Sequence, residues 1–123
     1  MKVLIEKSFK FHAAHRLPNH DGKCRALHGH TYRLDIKISG SAKYGERPDA
    51  GMIMDFGELK KLVMEVILDK FDHKYLNDFY ENPTAEIMVA DFYRTLVHTL
   101  PTSVILERVR LWETQTSYAE AAR

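Results

Sequence analysis

Residues Thr31 to Ser39 alternate strictly between apolar and polar side chains, and this alternation limits the fold more than any other feature. In an extended chain, Tyr32, Leu34, Ile36 and Ile38 project from one side and the polar residues between them from the other. A period of two is typical of a strand in an antiparallel sheet with one buried face. The chain must therefore provide more strands beside this one and a layer that covers its apolar face.

Further strands are predicted on both sides of this segment. Val3 to Phe11 is rich in β-branched and aromatic residues, Met52 to Met54 forms a short return strand, and Ser103 to Thr114 forms the last strand. Gly40 to Gly51 and Phe71 to Tyr80 are predicted loops.

Two amphipathic helices are predicted in the second half of the chain. Asp55 can cap the first, in which apolar residues recur at helical spacing from Leu59 to Ile67. Thr84 can cap the second, which ends at Leu100-Pro101. The order β-β-β-α-α-β predicts an α+β fold, a four-stranded antiparallel sheet with two helices packed on one face.

Length and charge exclude several classes of function. The 123 residues are predicted to form one domain, residues 1–123, and a net charge of +1 provides no field that would gather nucleic acid or an anionic membrane surface. No segment approaches the ~20 apolar residues of a membrane-spanning helix, and the charged N-terminus argues against a secretory signal. Because Cys24 is the only cysteine, no disulfide can form within the chain, and we expect a cytoplasmic location.

Histidines are concentrated near the N-terminus, between His12 and His30. In an extended segment His28 and His30 face the same way, and Gly29 between them adds no side chain. His15 ends the preceding strand and can supply a third nitrogen if the two segments pair. Three imidazoles with an open fourth position are the usual arrangement of a catalytic zinc ion.

Cys24 has three interpretations at this point. It can be the fourth ligand of a closed structural zinc site, or a free thiol whose thiolate is favoured by nearby metal and cationic groups. It can also be a small buried apolar residue. The spacing alone does not choose among them.

Six motifs occur in order along the chain. They are Ala14–Leu17, Cys24 with His28–His30, Gly51–Phe56, Asp72–Asn77, Asn82–Glu86 and Trp112–Thr114. Together they resemble the 6-pyruvoyltetrahydropterin synthase superfamily, over the chain from Phe9 to Thr114. The three residues between Cys24 and His28 resemble the interval in the bacterial 6-carboxytetrahydropterin synthases of queuosine biosynthesis, whereas the pyruvoyl-forming synthases typically have a longer one.

This resemblance implies both a site and an assembly. It implies the following roles: His15, His28 and His30 bind Zn²⁺, Cys24 is a catalytic base, Asp72 and His73 form a catalytic proton relay, Glu113 is a catalytic residue and pterin anchor, and Thr84 joins it in substrate binding. The implied fold is the T-fold, in which sheets pair around a three-fold axis into a barrel. Two such trimers stack into a homohexamer with active sites at subunit interfaces.

The expected activity is that of a zinc-dependent lyase. It would convert 7,8-dihydroneopterin triphosphate and water to 6-carboxy-5,6,7,8-tetrahydropterin, acetaldehyde and triphosphate. One alternative is a 6-pyruvoyltetrahydropterin synthase, which only eliminates triphosphate. Another, of a different class, is a non-catalytic, zinc-stabilised pterin-binding protein with Cys24 as the fourth ligand.

Two sets of residues have no assigned role. The basic residues near the histidine motif are candidates for binding the triphosphate: Lys23, Arg25 and Arg16. Three histidines match no ligand position of the family: His12, His20 and His98.

Overall fold

A long β-hairpin forms the centre of the fold in the computed structural model, which describes residues 1–123. Its strands are β1 (Val3–His15) and β2 (His28–Gly40), paired antiparallel over their full length. β3 (Lys74–Tyr75) lies parallel beside β1, β4 (Val104–Trp112) lies antiparallel beside β2, and β5 (Tyr118–Ala122) is antiparallel to β4. The sheet order is therefore β3-β1-β2-β4-β5.

Helices cover one face of this sheet, as predicted. They are α1 (Phe56–Val63), which continues through a π-helical turn (Met64–Leu68) into the short α2 (Asp69–Phe71), and α3 (Ala85–Thr99). Every apolar residue of the alternating β2 segment is fully buried beneath this layer. None of the helices combines the length and the apolar character that crossing a membrane requires.

Aromatic side chains join the hairpin to the helix layer. The ring of Phe11 stacks on that of Tyr32 across β1 and β2, with 4.9 Å between the centroids. Phe92 of α3 contacts the Phe11 ring edge-on at 6.3 Å. Burying each such side chain contributes roughly 1.5–3 kcal/mol, so the hairpin is held firmly next to the end where the histidines lie.

Both predicted helix caps are confirmed. The Asp55 carboxylate accepts hydrogen bonds from the backbone N–H groups of Gly57 and Glu58 at the start of α1. The Thr84 hydroxyl accepts one from the N–H of Ile87 at the start of α3, over 3.2 Å. These bonds satisfy donors that a helix leaves unpaired in its first turn.

The predicted strand at Met52–Met54 is wrong. The backbone bends there and joins no ladder. Lys43 donates from its backbone N–H to the carbonyl oxygen of Met52 and from Nζ to that of Ile53. Because Lys43 satisfies these carbonyls, Ile53 and Met54 can be buried without entering the sheet.

The sheet has five strands instead of the predicted four, because Met52–Met54 is not a strand and the two strands β3 and β5 were not predicted. β3 occupies two residues of the expected loop Phe71 to Tyr80. β5 is rich in alanine, which is uncommon in strands. It forms because it pairs with β4 along its length and because Tyr118 packs against Trp112, with 4.5 Å between the ring centroids. The observed order is β-β-α-α-β-α-β-β.

Candidate metal centre and active site

The hairpin register brings three histidines together at one end of the sheet. His15 lies directly opposite His28, and Ala13 lies opposite His30. Because side chains two apart share a face of a strand, all three imidazoles project to the side that carries the helices. One ring nitrogen from each lies within 4.8 Å of those of the other two, as the spacing predicted.

Backbone carbonyls orient two of these rings. His15 Nδ1 lies 2.8 Å from the carbonyl oxygen of Pro83, and His28 Nδ1 lies 2.8 Å from that of Ala26. A carbonyl oxygen can only accept, so both Nδ1 atoms carry a hydrogen, and in the neutral form of each ring Nε2 then presents a lone pair. Nevertheless the two Nε2 atoms lie only 3.0 Å apart, and Nε2 of His30 is buried without a hydrogen-bond partner.

A tetrahedral metal ion fits this arrangement of acceptors. Lone pairs that face one another at 3.0 Å repel unless a cation lies between them. Two imidazole ligands of a tetrahedral zinc ion, each ~2.05 Å from the metal, are separated by about 3.3 Å. Burial lowers the pKa of both His15 and His30, which favours the neutral rings that bind a metal. The three histidines are therefore suited to hold such an ion.

Glu113 brings a carboxylate to the edge of this cluster. Its Oε1 lies 3.4 Å from Nε2 of His15 and 3.5 Å from Nε2 of His30. The side chain is 30% exposed, so it can also face a ligand in the adjoining space. Glu113 follows β4, and its backbone N–H bonds to Ser117 in the turn that leads to β5. The unpredicted β5 thus helps to fix a predicted site residue.

Tyr32 lies fully buried behind the cluster. Its hydroxyl is 3.3 Å from Nδ1 of His15, and its ring contacts the His30 ring edge-on at 5.5 Å. Burial raises the pKa of Tyr32, and the nearby charge of Glu113 raises it further. The phenol therefore stays neutral and fills the space beneath the two imidazoles.

Cys24 lies outside the histidine cluster. It occupies a single 3₁₀ turn, Lys23–Arg25, in the loop between β1 and β2, and it is partly buried and free of any disulfide. Its carbonyl oxygen accepts a 2.8 Å hydrogen bond from the N–H of Leu17, which ties the two sides of the loop together. The sulfur is not among the grouped ligand atoms, so this geometry does not form a closed site of three histidines and one cysteine.

Asp72 and His73 lie at the outer edge of β1. Asp72 Oδ1 accepts a hydrogen bond from the backbone N–H of His12 and lies 3.0 Å from Nδ1 of His73. The bond from the His12 backbone, together with His73, lowers the pKa of Asp72. His73 has a φ of 59°, in the left-handed region that few non-glycine residues adopt. The pair therefore does not lie in a regular strand, as the sequence indicated.

A cleft of about 620 Å³ opens beside Asp72 and His73, and we call it the edge cleft. The residues that matter for its chemistry are His12, Gly29, His30, Thr31, His73 and Lys74. Of the three clustered histidines only His30 borders this cleft, and His12 and Thr31 lie on the sheet face opposite the cluster.

Comparison with known proteins identifies the family of this chain. The family model described as "6-pyruvoyl tetrahydropterin synthase" matches residues 4–123. The chain belongs to this family. A 6-carboxy-5,6,7,8-tetrahydropterin synthase of Haemophilus influenzae is 36% identical over 138 aligned positions, which cover 94% of this chain and 96% of the relative.

Two further comparisons describe the range of this family. A dihydroneopterin monophosphate aldolase of Pyrococcus furiosus is 34% identical and covers 92% of this chain and 91% of its own. The solved structure of the Caenorhabditis elegans 6-pyruvoyl tetrahydropterin synthase superposes with a TM-score of 0.81 at 28% identity, covering 100% of this chain and 96% of that one. The T-fold expected from the motifs is confirmed.

Several contacts at the candidate site were not predicted from the sequence. The Asn82–Glu86 motif supplies the Pro83 carbonyl that orients His15, while the Thr84 hydroxyl caps α3. The position of a backbone carbonyl cannot be predicted from side-chain identity, so the sequence of this motif indicated only a helix start. Asn77, at the end of another motif, binds Arg16 through both its amide oxygen and nitrogen, over 2.9 Å each, and so holds the β1–β2 loop in place.

The three histidines without an assigned role lie in different places. His12 lines the edge cleft, where its Nδ1 lies 3.0 Å from the hydroxyl of Thr31. His20 accepts a hydrogen bond from the N–H of Gly22 within the β1–β2 loop. His98 is exposed in the last turn of α3. Of the three, only His12 borders the site.

Proposed function

We propose that this protein is a zinc-dependent lyase that converts 7,8-dihydroneopterin triphosphate and water to 6-carboxy-5,6,7,8-tetrahydropterin, acetaldehyde and triphosphate. The observation that carries the proposal is the convergence of three imidazole nitrogens, within 4.8 Å of one another, beside a carboxylate in a chain of this family. The name of the Haemophilus influenzae relative favours the carboxy-forming reaction.

His15, His28 and His30 would hold the zinc ion. When bound, zinc supplies Lewis-acid chemistry, which lowers the pKa of a substrate hydroxyl and of the neighbouring C–H. The carbonyls of Pro83 and Ala26 keep two of the ligand rings in the tautomer that this requires.

Cys24 is the proposed catalytic base. It lies in the loop that connects β1 to His28, and it is free of any disulfide and partly exposed, as a reactive thiol must be. Asp72 would hold one tautomer of His73 and stabilise its protonated form, so that His73 returns the proton. A base that takes a proton at carbon typically contributes about 10²–10⁴-fold to the rate.

Glu113 is the proposed pterin anchor. The pterin ring presents a guanidine-like edge of N–H donors, which a carboxylate accepts in a paired geometry. Glu113 is partly exposed, and it borders a cavity of about 350 Å³ to which Ala85, Val89 and Ala119 contribute apolar surface. Thr84 retains the hydrogen of its hydroxyl after capping α3, so it can still donate to the substrate.

A homohexamer is the proposed functional unit, with active sites at subunit interfaces. Both outer edges of the sheet support self-association, because β3 pairs with only Ala13 and Ala14 of β1 and no strand lies beyond β5. An unpaired strand edge is a template for pairing with another chain. The proposed setting is queuosine biosynthesis in the cytoplasm.

Product analysis tests the reaction. Zinc-loaded protein is incubated with 7,8-dihydroneopterin triphosphate, and the pterin, aldehyde and phosphate products are separated by mass spectrometry. Equal amounts of the carboxypterin, acetaldehyde and triphosphate are expected. A pyruvoyl product without acetaldehyde would identify the sister synthase reaction, and a hydroxymethyl product would identify an aldolase. Absence of turnover with zinc and pterin both bound would identify a binding protein.

A further inference from the structure

Trp112 is the last residue of β4 that pairs with strands on both sides. It lies opposite Arg33 of β2 and opposite Tyr118 of β5, and both ladders end at this position. Glu113 therefore lies just beyond the sheet, where its backbone N–H bonds to the carbonyl oxygen of Ser117 in the turn to β5. The direction in which β4 presents Glu113 to the histidine cluster thus depends on how Trp112 is held.

The side chain of Trp112 lies on the face of the sheet opposite the helices. Successive residues of a strand point to opposite faces, so Glu113 points toward the histidines while the indole of Trp112 points away from them. The Arg33 guanidinium lies over the indole, 4.4 Å from the ring centroid, and the ring of Tyr118 packs against it with 4.5 Å between the centroids. Contacts from both neighbouring strands therefore restrict the movement of the indole.

A buried carboxylate fixes the orientation of this indole. The Nε1–H of Trp112 donates to Oδ2 of Asp35 over 2.7 Å, and the Asp35 side chain is only 6% exposed. Asp35 is itself held by the Ser8 hydroxyl, at 2.6 Å, and by Nε and Nη2 of Arg33, each at 3.1 Å. Burial alone would raise the pKa of Asp35, but these hydrogen bonds lower it, so the carboxylate is charged at neutral pH. The bond from Trp112 is therefore charge-assisted and stronger than a bond between neutral groups.

We propose that Trp112 is a positioning residue for Glu113, with Asp35 setting the orientation of its indole. The inference rests on the proposed function, because it concerns how the proposed anchor meets the pterin. Trp112 does not line the cavity beside Glu113, so it acts through the backbone that the two residues share. A carboxylate must meet two N–H donors at once for the paired geometry, and a small tilt at the end of β4 loses one of the two hydrogen bonds.

Calorimetric titration of Trp112→Phe with neopterin tests this role without turnover. Phenylalanine keeps an aromatic ring beside Arg33 but has no N–H for Asp35. The Kd of neopterin should therefore rise by ~10-fold, the effect of losing one charge-assisted hydrogen bond, while the zinc content stays unchanged. Trp112 is only partly buried, so the change is not expected to prevent folding.

Tyr93→Phe is the matched control. It keeps the ring and removes the hydroxyl that donates to the carbonyl oxygen of Leu106, at the other end of β4. This variant also loses a hydrogen bond between an aromatic side chain and a neighbouring element, but far from Glu113, so its Kd for neopterin should equal that of wild type. An unchanged Kd in Trp112→Phe would overturn the proposal, as would an equal rise in both variants.

Combining Trp112→Phe with Glu113→Gln separates positioning from a general loss of stability. If Trp112 acts through Glu113, the combined variant should bind neopterin no more weakly than Glu113→Gln alone. Effects that multiply in the combined variant would overturn the proposal. An unchanged Kd in Glu113→Gln would refute the proposed anchor, and the positioning role with it. Neopterin binding that depends on both residues, in a protein that does not convert the triphosphate, would refute only the proposed reaction.

Discussion

His15 donates a hydrogen bond from Nδ1 to the carbonyl oxygen of Pro83, 2.8 Å away and 68 residues later in the chain. This bond joins the end of β1 to the residue before the cap of α3. It fixes which nitrogen of a fully buried imidazole faces its two neighbours. The position of α3 and the tautomer of a proposed metal ligand therefore depend on each other.

Loss of the α3 cap should weaken metal binding at the candidate metal centre. Thr84→Ala removes the acceptor for the N–H of Ile87 and should lower the free energy of unfolding by about 1 kcal/mol, while loosening the Pro83 carbonyl that holds His15. Zinc affinity should fall ~10-fold, as for other groups that orient a ligand. Urea unfolding and competition with a chelator measure the two effects. Thr84→Ser keeps the oxygen and should restore both.

One zinc ion per chain is expected in the purified protein. His30→Ala removes a ligand and should weaken zinc binding by at least ~100-fold, since three protein ligands are the usual minimum for such a site. Elemental analysis after dialysis measures the metal content. His98→Ala alters an exposed histidine at the end of α3 and should leave the metal in place. Equal zinc retention in both variants would contradict the assignment.

Cys24→Ala distinguishes a base from a ligand. If the thiol takes a proton, the variant should keep its zinc and bind pterin but lose at least ~100-fold in kcat. If the sulfur is the fourth ligand, the variant should lose zinc together with activity. Metal content and turnover are measured on the same preparation, so the two outcomes are separate.

Glu113→Gln should reduce pterin affinity while zinc is retained. An amide is uncharged and has only one acceptor oxygen, so it cannot accept a pair of N–H donors as a carboxylate does. The loss of a charge-assisted hydrogen bond should weaken neopterin binding by at least ~10-fold. Fluorescence titration with neopterin gives the Kd. Glu81→Gln, an exposed neighbour of the Asn82–Glu86 motif, is the matched control. Loss of zinc in Glu113→Gln would instead identify this carboxylate as a metal ligand.

Asp35 should make stability depend on pH in the acid range. Burial alone would raise the pKa of Asp35, but hydrogen bonds from Ser8, Arg33 and Trp112 together lower it below its usual value. Trp112 Nε1, for example, lies 2.7 Å from Oδ2. A carboxyl group with a lowered pKa stabilises the fold above its unfolded pKa, and this contribution disappears as the pH falls through the folded pKa.

Asp35→Asn should therefore lower the free energy of unfolding by about 2 kcal/mol at pH 7. The difference in this free energy from wild type should shrink toward pH 3. Urea unfolding at several pH values measures it. Asp21→Asn, in the exposed β1–β2 loop, should follow the wild-type curve. A difference for Asp35→Asn that stays constant with pH would show that shape, and not charge, matters at this position.

The parts of the fold that follow from local patterns were predictable. Alternation gave β2, the spacing of His28 and His30 gave two converging rings, and Asp55 and Thr84 marked both helix starts. Each of these depends on side chains a few residues apart.

The parts that depend on distant partners were not predictable. β5 has the composition of a poor strand and forms only because β4 and Trp112 are available to it. Met52–Met54 has the composition of a strand but does not form one, because Lys43 donates hydrogen bonds to the carbonyl oxygens of Met52 and Ile53. The orientation of His15 depends on a carbonyl 68 residues away, for which no side chain provides a signal.

The left-handed backbone at His73 is expected to lower the stability of the fold at a residue with a proposed catalytic role. A side chain in that conformation costs about 1–2 kcal/mol relative to glycine, and the imidazole there is mostly exposed, so it recovers little by packing. His73→Gly should consequently give a more heat-resistant protein that has lost its proposed proton carrier. Such a rise in melting temperature would show that the proposed proton carrier lowers the thermal stability of the fold, a combination that is common at functional residues.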